Sequence, residues 1–257
     1  MNLKIKNKRV LISGASNGIG KELAYQFAKE GCKLTLLARN KIKLKCIVND
    51  LGGEKKGHYF FNVNLLPNGN AAKISKKILK NIGSHEIIVH CVGGGLGVSN
   101  PFAEYKDWLK VWRFNVGIAI EINNVFIDSL VKKKWGRVIH VSSIVAKYSD
   151  SDPNINKIAY SASKAYLNRY LEGVSKITAK SNVIFSGIMP GPILTEGKFW
   201  EKEMKKNPSK VKKYIEKNNT IKRFAKVSEI CPFVLLLASE HASYNAGTII
   251  TIDGGKL

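Results

Sequence analysis

Seven short runs rich in β-branched residues alternate with helical patterns from one end of this chain to the other. No other feature constrains the fold as tightly. The runs lie at 9–14, 33–38, 57–62, 86–91, 136–143, 182–188 and 248–253, and helical periodicity occupies 18–30, 41–51, 69–82, 107–134, 158–180 and 228–238. Strands separated each time by a helix read as a parallel sheet wrapped by helices, an α/β fold. No linker, repeat or low-complexity break divides the 257 residues, so one doubly wound domain over 1–257 is expected. Residues 194–220, lysine-rich and weakly apolar, read as an insertion standing off the sheet.

The first strand runs into VLISGASNGIGKEL, which places Gly14, Gly18 and Gly20 between a strand and a helix. The N–H groups and positive dipole end of that helix form a place where a pyrophosphate can sit. Gly14 suits the tight turn, Gly18 lets the backbone approach phosphate, and Gly20 lets the helix pack on the strand. The GxxxGxG spacing is not the GxGxxG fingerprint, so the loop alone does not decide the matter. The second strand ends at Leu37, Ala38 and Arg39 without the carboxylate that an NAD site uses to hold the ribose. Arg39 can pair bidentately with a 2′-phosphate, and Lys41 or Lys43 adds positive field, so NADP(H) is the expected cofactor.

Lys and Arg number 42 against 19 Asp and Glu, a net charge of +23. Nucleic acid is nevertheless not the expected partner. The basic residues are mostly lysines dispersed over the whole chain, arginine is scarce, and no zinc-finger or RNP pattern occurs. Cys32, Cys46, Cys91 and Cys231 lie far apart with no CxxC pair, which reads as reduced thiols with no metal site. No apolar stretch is read as approaching the roughly 18 residues that cross a bilayer. The N-terminus lacks the apolar run of a signal peptide, so a cytoplasmic protein is expected.

The strongest chemical signal is AYSASKAYL, in which Tyr160 and Lys164 stand four apart on one helix face. A tyrosine is a poor acid at neutral pH unless a nearby cation favours the phenolate, which a lysine ammonium does. Tyr160 would then hand its proton to a carbonyl oxygen. Upstream, RVIHVSSIV ends a strand with a serine that can hydrogen-bond the same oxygen, and FNVG offers Asn115.

Together these stretches resemble the short-chain dehydrogenase/reductase family, and the resemblance covers the whole chain. It implies a Rossmann-type sheet, with Tyr160 as catalytic acid/base and Lys164 lowering its pKa and holding the nicotinamide ribose. It further implies that Ser143 orients the substrate oxygen and that Asn115 helps hold a water in a proton relay to the lysine. The glycine loop matches the family's TGxxxGIG element with Ser13 in place of threonine, which assigns Gly14, Ser16, Asn17, Gly18, Ile19 and Gly20 to the cofactor. MPGPILT matches the stretch flanking the nicotinamide and assigns Pro190, Gly191, Ile193 and Thr195 to it. ITIDGG matches the last strand. A homotetramer is also implied, helped by the apolar IAIEINNVFIDSL and CPFVLLLA helices.

Three departures accompany the resemblance. An NNAG-like turn is replaced by His90, Cys91, Val92 and Gly93 to Gly95, so the turn at Gly93 can survive but the asparagine contacts cannot. His90 and His140 are read as structural. Asn62 and Val63 stand where an aspartate–valine pair usually holds adenine, and an amide can still bond a base edge. Sixteen residues separate Ser143 from Tyr160, more than is usual, and the excess falls in the polar 147–157, expected to line the substrate entrance.

The expected function is NADP(H)-dependent interconversion of a small-molecule ketone and a secondary alcohol. A 3-oxoacyl-(acyl-carrier-protein) reductase and a reductase of a phosphorylated or nucleotide-linked sugar are the alternatives within it. A cofactor-binding regulator is the non-enzyme alternative, disfavoured because Tyr160 and Lys164 are both present. Residues 198–217 hold eight lysines against three glutamates. As a lid over the site they would draw in an anionic or carrier-linked substrate.

Overall fold

The computed structural model describes residues 1–149 and 157–256. Its parallel strands are β1 (Arg9–Ser13), β2 (Lys33–Ala38), β3 (Tyr59–Asn62), β4 (Ile87–His90), β5 (Gly136–Val141), β6 (Val183–Pro190) and β7 (Ile249–Ile252). They form one sheet in the order β3-β2-β1-β4-β5-β6-β7. The helices are α1 (Gly18–Lys29), α2 (Lys41–Asp50), α3 (Asn70–Asn81), α4 (Tyr105–Trp112), α5 (Ile118–Lys133), α6 (Ile158–Thr178), α7 (Phe199–Lys206), α8 (Pro208–Asn218) and α9 (Val227–Leu237).

Central strands are covered on both faces, which is why they read as continuous apolar runs rather than alternating ones. Val10, Ile12, Leu34 and Leu36 pack with α1, α2 and α9 on one face. Leu11, Leu37, Ile88 and Val138 pack with α3, α5 and α6 on the other. Glu121 of α5 ties the second layer together by accepting from the N–H groups of Gly69 and Ala72, which start α3 without a side-chain cap of their own. The chain reverses direction across the sheet between β1 and β4, and ligands of such sheets bind outside the strand ends at that point.

Four expectations need correction. The fifth strand stops at Val141, two residues short, and the sixth continues to Pro190, because Gly187, Ile188, Met189 and Pro190 all pair with β7. The long helix starts at Tyr105 and is interrupted by a π-helical turn, Arg113–Gly117. That composite helix, Tyr105–Lys133, is long and apolar enough to cross a membrane by length and composition, contrary to the sequence reading. Its apolarity has another use here: half of the window is buried, with Ile118, Ile122, Phe126 and Leu130 in the core against the sheet. Residues 194–220 fold into α7 and α8. Val211 and Ile215 of α8 are buried, and Trp200 of α7 stacks on Tyr214 and meets Phe224 edge-on.

Candidate active site

The loop leaving β1 folds as its glycines require. Gly14 has φ of +78°, and a Cβ on it would lie 2.9 Å from the Cys91 carbonyl. A Cβ on Gly20 would lie 2.5 Å from the Gly14 carbonyl oxygen, so the first turn of α1 rests directly on the loop. Gly18 has φ of +56° and faces the Thr195 methyl group. Asn17 accepts from the Gly18 N–H and donates to the Glu196 carbonyl, which ties the loop to the segment after β6. Thus Gly14, Gly18, Gly20 and Thr195 come together, with Ser16 between them and Ile19 turned onto the core. Gly191 sits against Asp253, its N–H donating to the Ile252 carbonyl, and Ile193 bridges to Ala225. The Pro190–Thr195 stretch is thereby held between β7 and the glycine loop.

Arg39 follows β2, is exposed, and has no hydrogen-bond or ion-pair partner among the described residues. Asn62 ends β3 opposite Ala38 and is exposed too, while the Val63 N–H donates to the Ala38 carbonyl. These residues line the same end of the sheet as the glycine loop.

Beyond β4, Gly93 passes over two polar groups. A Cβ there would lie 2.8 Å from Asn115 Oδ1 and 3.0 Å from Lys164 Nζ. Asn115, placed by the π-helical turn, accepts from the Gly94 N–H (2.9 Å) and donates to the carbonyls of Gly94 (2.9 Å) and Val111 (2.8 Å). Its side chain therefore fixes the Gly93–Gly94 turn. Sequence reading missed this role, because Asn115 and the triple glycine are far apart in the chain and meet only in the fold.

Tyr160 and Lys164 lie one turn apart on α6. The Tyr160 hydroxyl hydrogen-bonds Ser143, whose Oγ also accepts weakly from the Val145 N–H. Lys164 is buried and donates to the Val141 carbonyl at 2.8 Å, with Nζ 5.8 Å from the centre of the Tyr160 ring. Burial pushes Lys164 down to about 8. It pushes Tyr160 up from 10, against the opposing effect of the Ser143 hydrogen bond. Desolvation dominates at the Tyr160 hydroxyl, and the Lys164 ammonium, one helical turn away, donates to a carbonyl. Tyr160 holds its proton at neutral pH.

Behind Lys164, His90 and His140 are buried and stacked at 4.6 Å, and His90 Nε2 meets Asn123 Oδ1 at 2.9 Å. Burial holds His90 down to about 4 and pushes His140 well below the usual imidazole value, so neither serves as an acid near neutrality. Both are core residues, as expected.

A cleft of about 80 Å³ opens beside Ser143, lined by Ile144, Tyr148, Pro192, Trp200, Tyr214 and Lys256 among others. Of the polar entrance segment, Tyr148 and Ser149 line this cleft. Residues 150–156 of it lie outside the described residues. A larger cleft, about 660 Å³, lies elsewhere, between Tyr25, Lys29, Asp50 and His58, and contains none of these groups.

The fold and this cluster define the class. A profile of the family described as short chain dehydrogenase matches residues 8–206, and the chain belongs to that family. It is 25% identical to a 3-oxoacyl-(acyl-carrier-protein) reductase of Aquifex aeolicus, with 99% of each chain covered. It is 28% identical to an uncharacterized oxidoreductase of Bacillus subtilis, covering 99% of this chain and 98% of the relative. Among solved structures, L-sorbose reductase from Gluconobacter frateurii, complexed with NADPH and L-sorbose, superposes with a TM-score of 0.86 at 28% identity over 99% and 98% of the two chains. The chain is thus an oxidoreductase of a family that binds nicotinamide cofactors.

Proposed function

We propose that this protein interconverts a small ketone and a secondary alcohol with NADP(H). The observation that carries the reading is the Tyr160 hydroxyl on Ser143, with Lys164 one turn away and the glycine loop across the same strand ends. The residues fit the cofactor. The first turn of α1 offers N–H groups for a pyrophosphate, Gly93 leaves the backbone open above Lys164, and unpaired Arg39 stands where a 2′-phosphate would need a cation. Asn62 and Val63 would take the adenine, and Ile193, Thr195 and Lys164 the nicotinamide side. The NADPH complex of the sorbose reductase supports the same choice.

When bound, the reduced nicotinamide supplies a hydride to the carbonyl carbon. Everything else falls to the protein. Ser143 donates to the carbonyl oxygen and orients it; Tyr160, protonated at neutral pH, gives its proton to that oxygen as negative charge develops. The Lys164 ammonium stabilises the phenolate left behind, and a proton from solvent restores the hydroxyl. Oxidation of the alcohol is the reverse.

Residues 194–220 act as the substrate lid in this reading, and their lysines favour an anionic substrate. Lys205 and Lys206 are already paired, with Glu201 at 3.0 Å and Glu203 at 3.8 Å, so the lid's field is smaller than its composition. Association into a homotetramer is part of the proposal, supported by exposed Phe233 on α9 and Val131 on α5. The test is NADPH oxidation against a panel of neutral and anionic ketones. Tyr160-dependent turnover of at least one supports the reading, and NADPH binding without turnover of any returns it to a regulator.

A further inference from the structure

The Asp253–Gly254–Gly255 turn after β7 takes no part in the chemistry above, yet it delivers a cation to the cleft beside Ser143. Gly254 and Gly255 are both left-handed, with φ of +70° and +75°. A Cβ on the first would lie 2.7 Å from Asn219 Nδ2, and one on the second 2.8 Å from Thr220 Oγ1. Buried Asn219 donates to the Asp253 carbonyl, while the N–H groups of Thr220 and Ile221 donate to the carbonyls of Gly255 and Gly254. The turn is thus locked onto the end of α8, and Lys256, next in sequence, bridges back to Asn219.

Lys256 Nζ donates to Asn218 Oδ1 at 2.7 Å and lines the cleft with Ser143, Tyr148, Trp200 and Tyr214. It has no ion pair among the described residues. The nearby lid glutamates are taken, Glu201 by Lys205 and Glu203 by Lys206. A second half-buried cation, Lys157, stands three residues before Tyr160 with its ammonium 4.3 Å from the centre of the Phe199 ring, and it too lacks an ion pair there. Glu203 supplies Lys157 with a favourable charge, which leaves Lys256 as the half-buried ammonium lining the cleft beside Ser143 with no carboxylate paired to it among the described residues. An unpaired charge removed from water is costly, and an anionic ligand offsets that cost.

Size narrows the ligand. The enclosed part of the cleft is small, about 80 Å³, and the Trp200–Tyr214 stack, with ring centres 5.1 Å apart, forms part of its lining. A small acidic group beyond the carbonyl fits that enclosed part.

We propose that Lys256 is a specificity-determining residue that binds the carboxylate of a small oxo acid whose ketone faces Ser143 and Tyr160. The inference rests on the oxidoreductase reading but is tested apart from it. The NADP⁺-loaded protein, which cannot reduce a ketone, is titrated with 3-oxobutanoate, its methyl ester and dihydroxyacetone phosphate. Binding is followed by tryptophan fluorescence, since Trp200 lines the cleft.

The acid should bind about tenfold or more tightly than the ester, as a charge-assisted contact requires. Lys256→Met should erase that preference while leaving ester affinity unchanged, and Lys256→Arg should restore most of it. Equal binding of acid and ester, failure of the acid to bind, or an undiminished preference in Lys256→Met overturns the proposal. Tighter Lys256-dependent binding of the phosphate overturns the carboxylate assignment. If the acid binds as expected but no ketone is turned over with NADPH, the oxidoreductase reading fails and only the carboxylate-binding role of Lys256 stands.

Discussion

The two rims of the crevice at the strand ends are built from different material. On the proposed cofactor side, at Gly14 and Gly20, backbone packs on backbone: the Cβ missing from Gly14 would strike the Cys91 carbonyl, and the one missing from Gly20 would strike that of Gly14. On the substrate side, side chains do the work. Ser143, Tyr160, Trp200, Tyr214 and Lys256 come from five separate segments and meet only in the folded chain. A backbone-built rim recognises what nicotinamide dinucleotides share, whereas a side-chain-built rim can change its ligand by single substitutions. The first should therefore be intolerant of change and general, the second tolerant and specific.

The largest effect should come where the rims meet. Tyr160→Phe removes the proton donor and leaves the groove intact, so turnover should fall by about 10²–10⁴ or more while NADPH binding, read by its fluorescence, is retained. A rate within a few-fold of wild type would show that the proton comes from elsewhere. Next, Arg39→Asp should collapse the preference for NADP over NAD by roughly 10- to 150-fold, the worth of a charge-assisted phosphate contact. Equal affinities of the unmodified protein for the two cofactors would break that assignment. Gly20→Ala should lower unfolding stability by about 1–3 kcal/mol in denaturant titration, because the new methyl group meets a carbonyl that cannot move away. In Trp200→Ala, by contrast, NADPH affinity should stay at its wild-type value while substrate KM changes.

The pH profile sharpens the same contrast. Lys164 keeps its proton below about 8, so stabilisation of the Tyr160 phenolate is present below that value and is lost as pH rises through it. The rate constant for ketone reduction should fall above about pH 8, and NADPH binding should follow a different curve. The smallest effect belongs to the lid. Neutralising Lys205, Lys206, Lys212 and Lys213 together should lower kcat/KM for an anionic ketone a few-fold at low salt, and added salt should remove the difference. An unchanged salt slope would mark the lid's charge as composition only.

The same contrast explains what could be read from the chain. Seven strands, the helices between them and the glycine loop were legible because their demands are local: an apolar run, a helical period, a left-handed φ at Gly14 and Gly18. Tyr160 and Lys164 were legible because one helical turn separates them. The helices of 194–220 were not, since α7 and α8 are weakly apolar and are held by distant partners, Trp200 on Phe224 and Asn219 on Asp253. The π-helical turn at Asn115 was invisible for a related reason: it interrupts a continuous helical pattern, and only the Gly93–Gly94 turn it clasps explains it.

Direct transfer across the crevice is the central claim, and one isotope measurement reaches it. The enzyme is given NADPH deuterated at the reactive nicotinamide carbon together with the best ketone of the panel, and the alcohol is analysed by mass spectrometry. The account predicts one deuterium per alcohol formed, on the carbinol carbon, and none when Tyr160→Phe replaces the wild-type protein over the same time. Alcohol without deuterium, or label released to water, would contradict it.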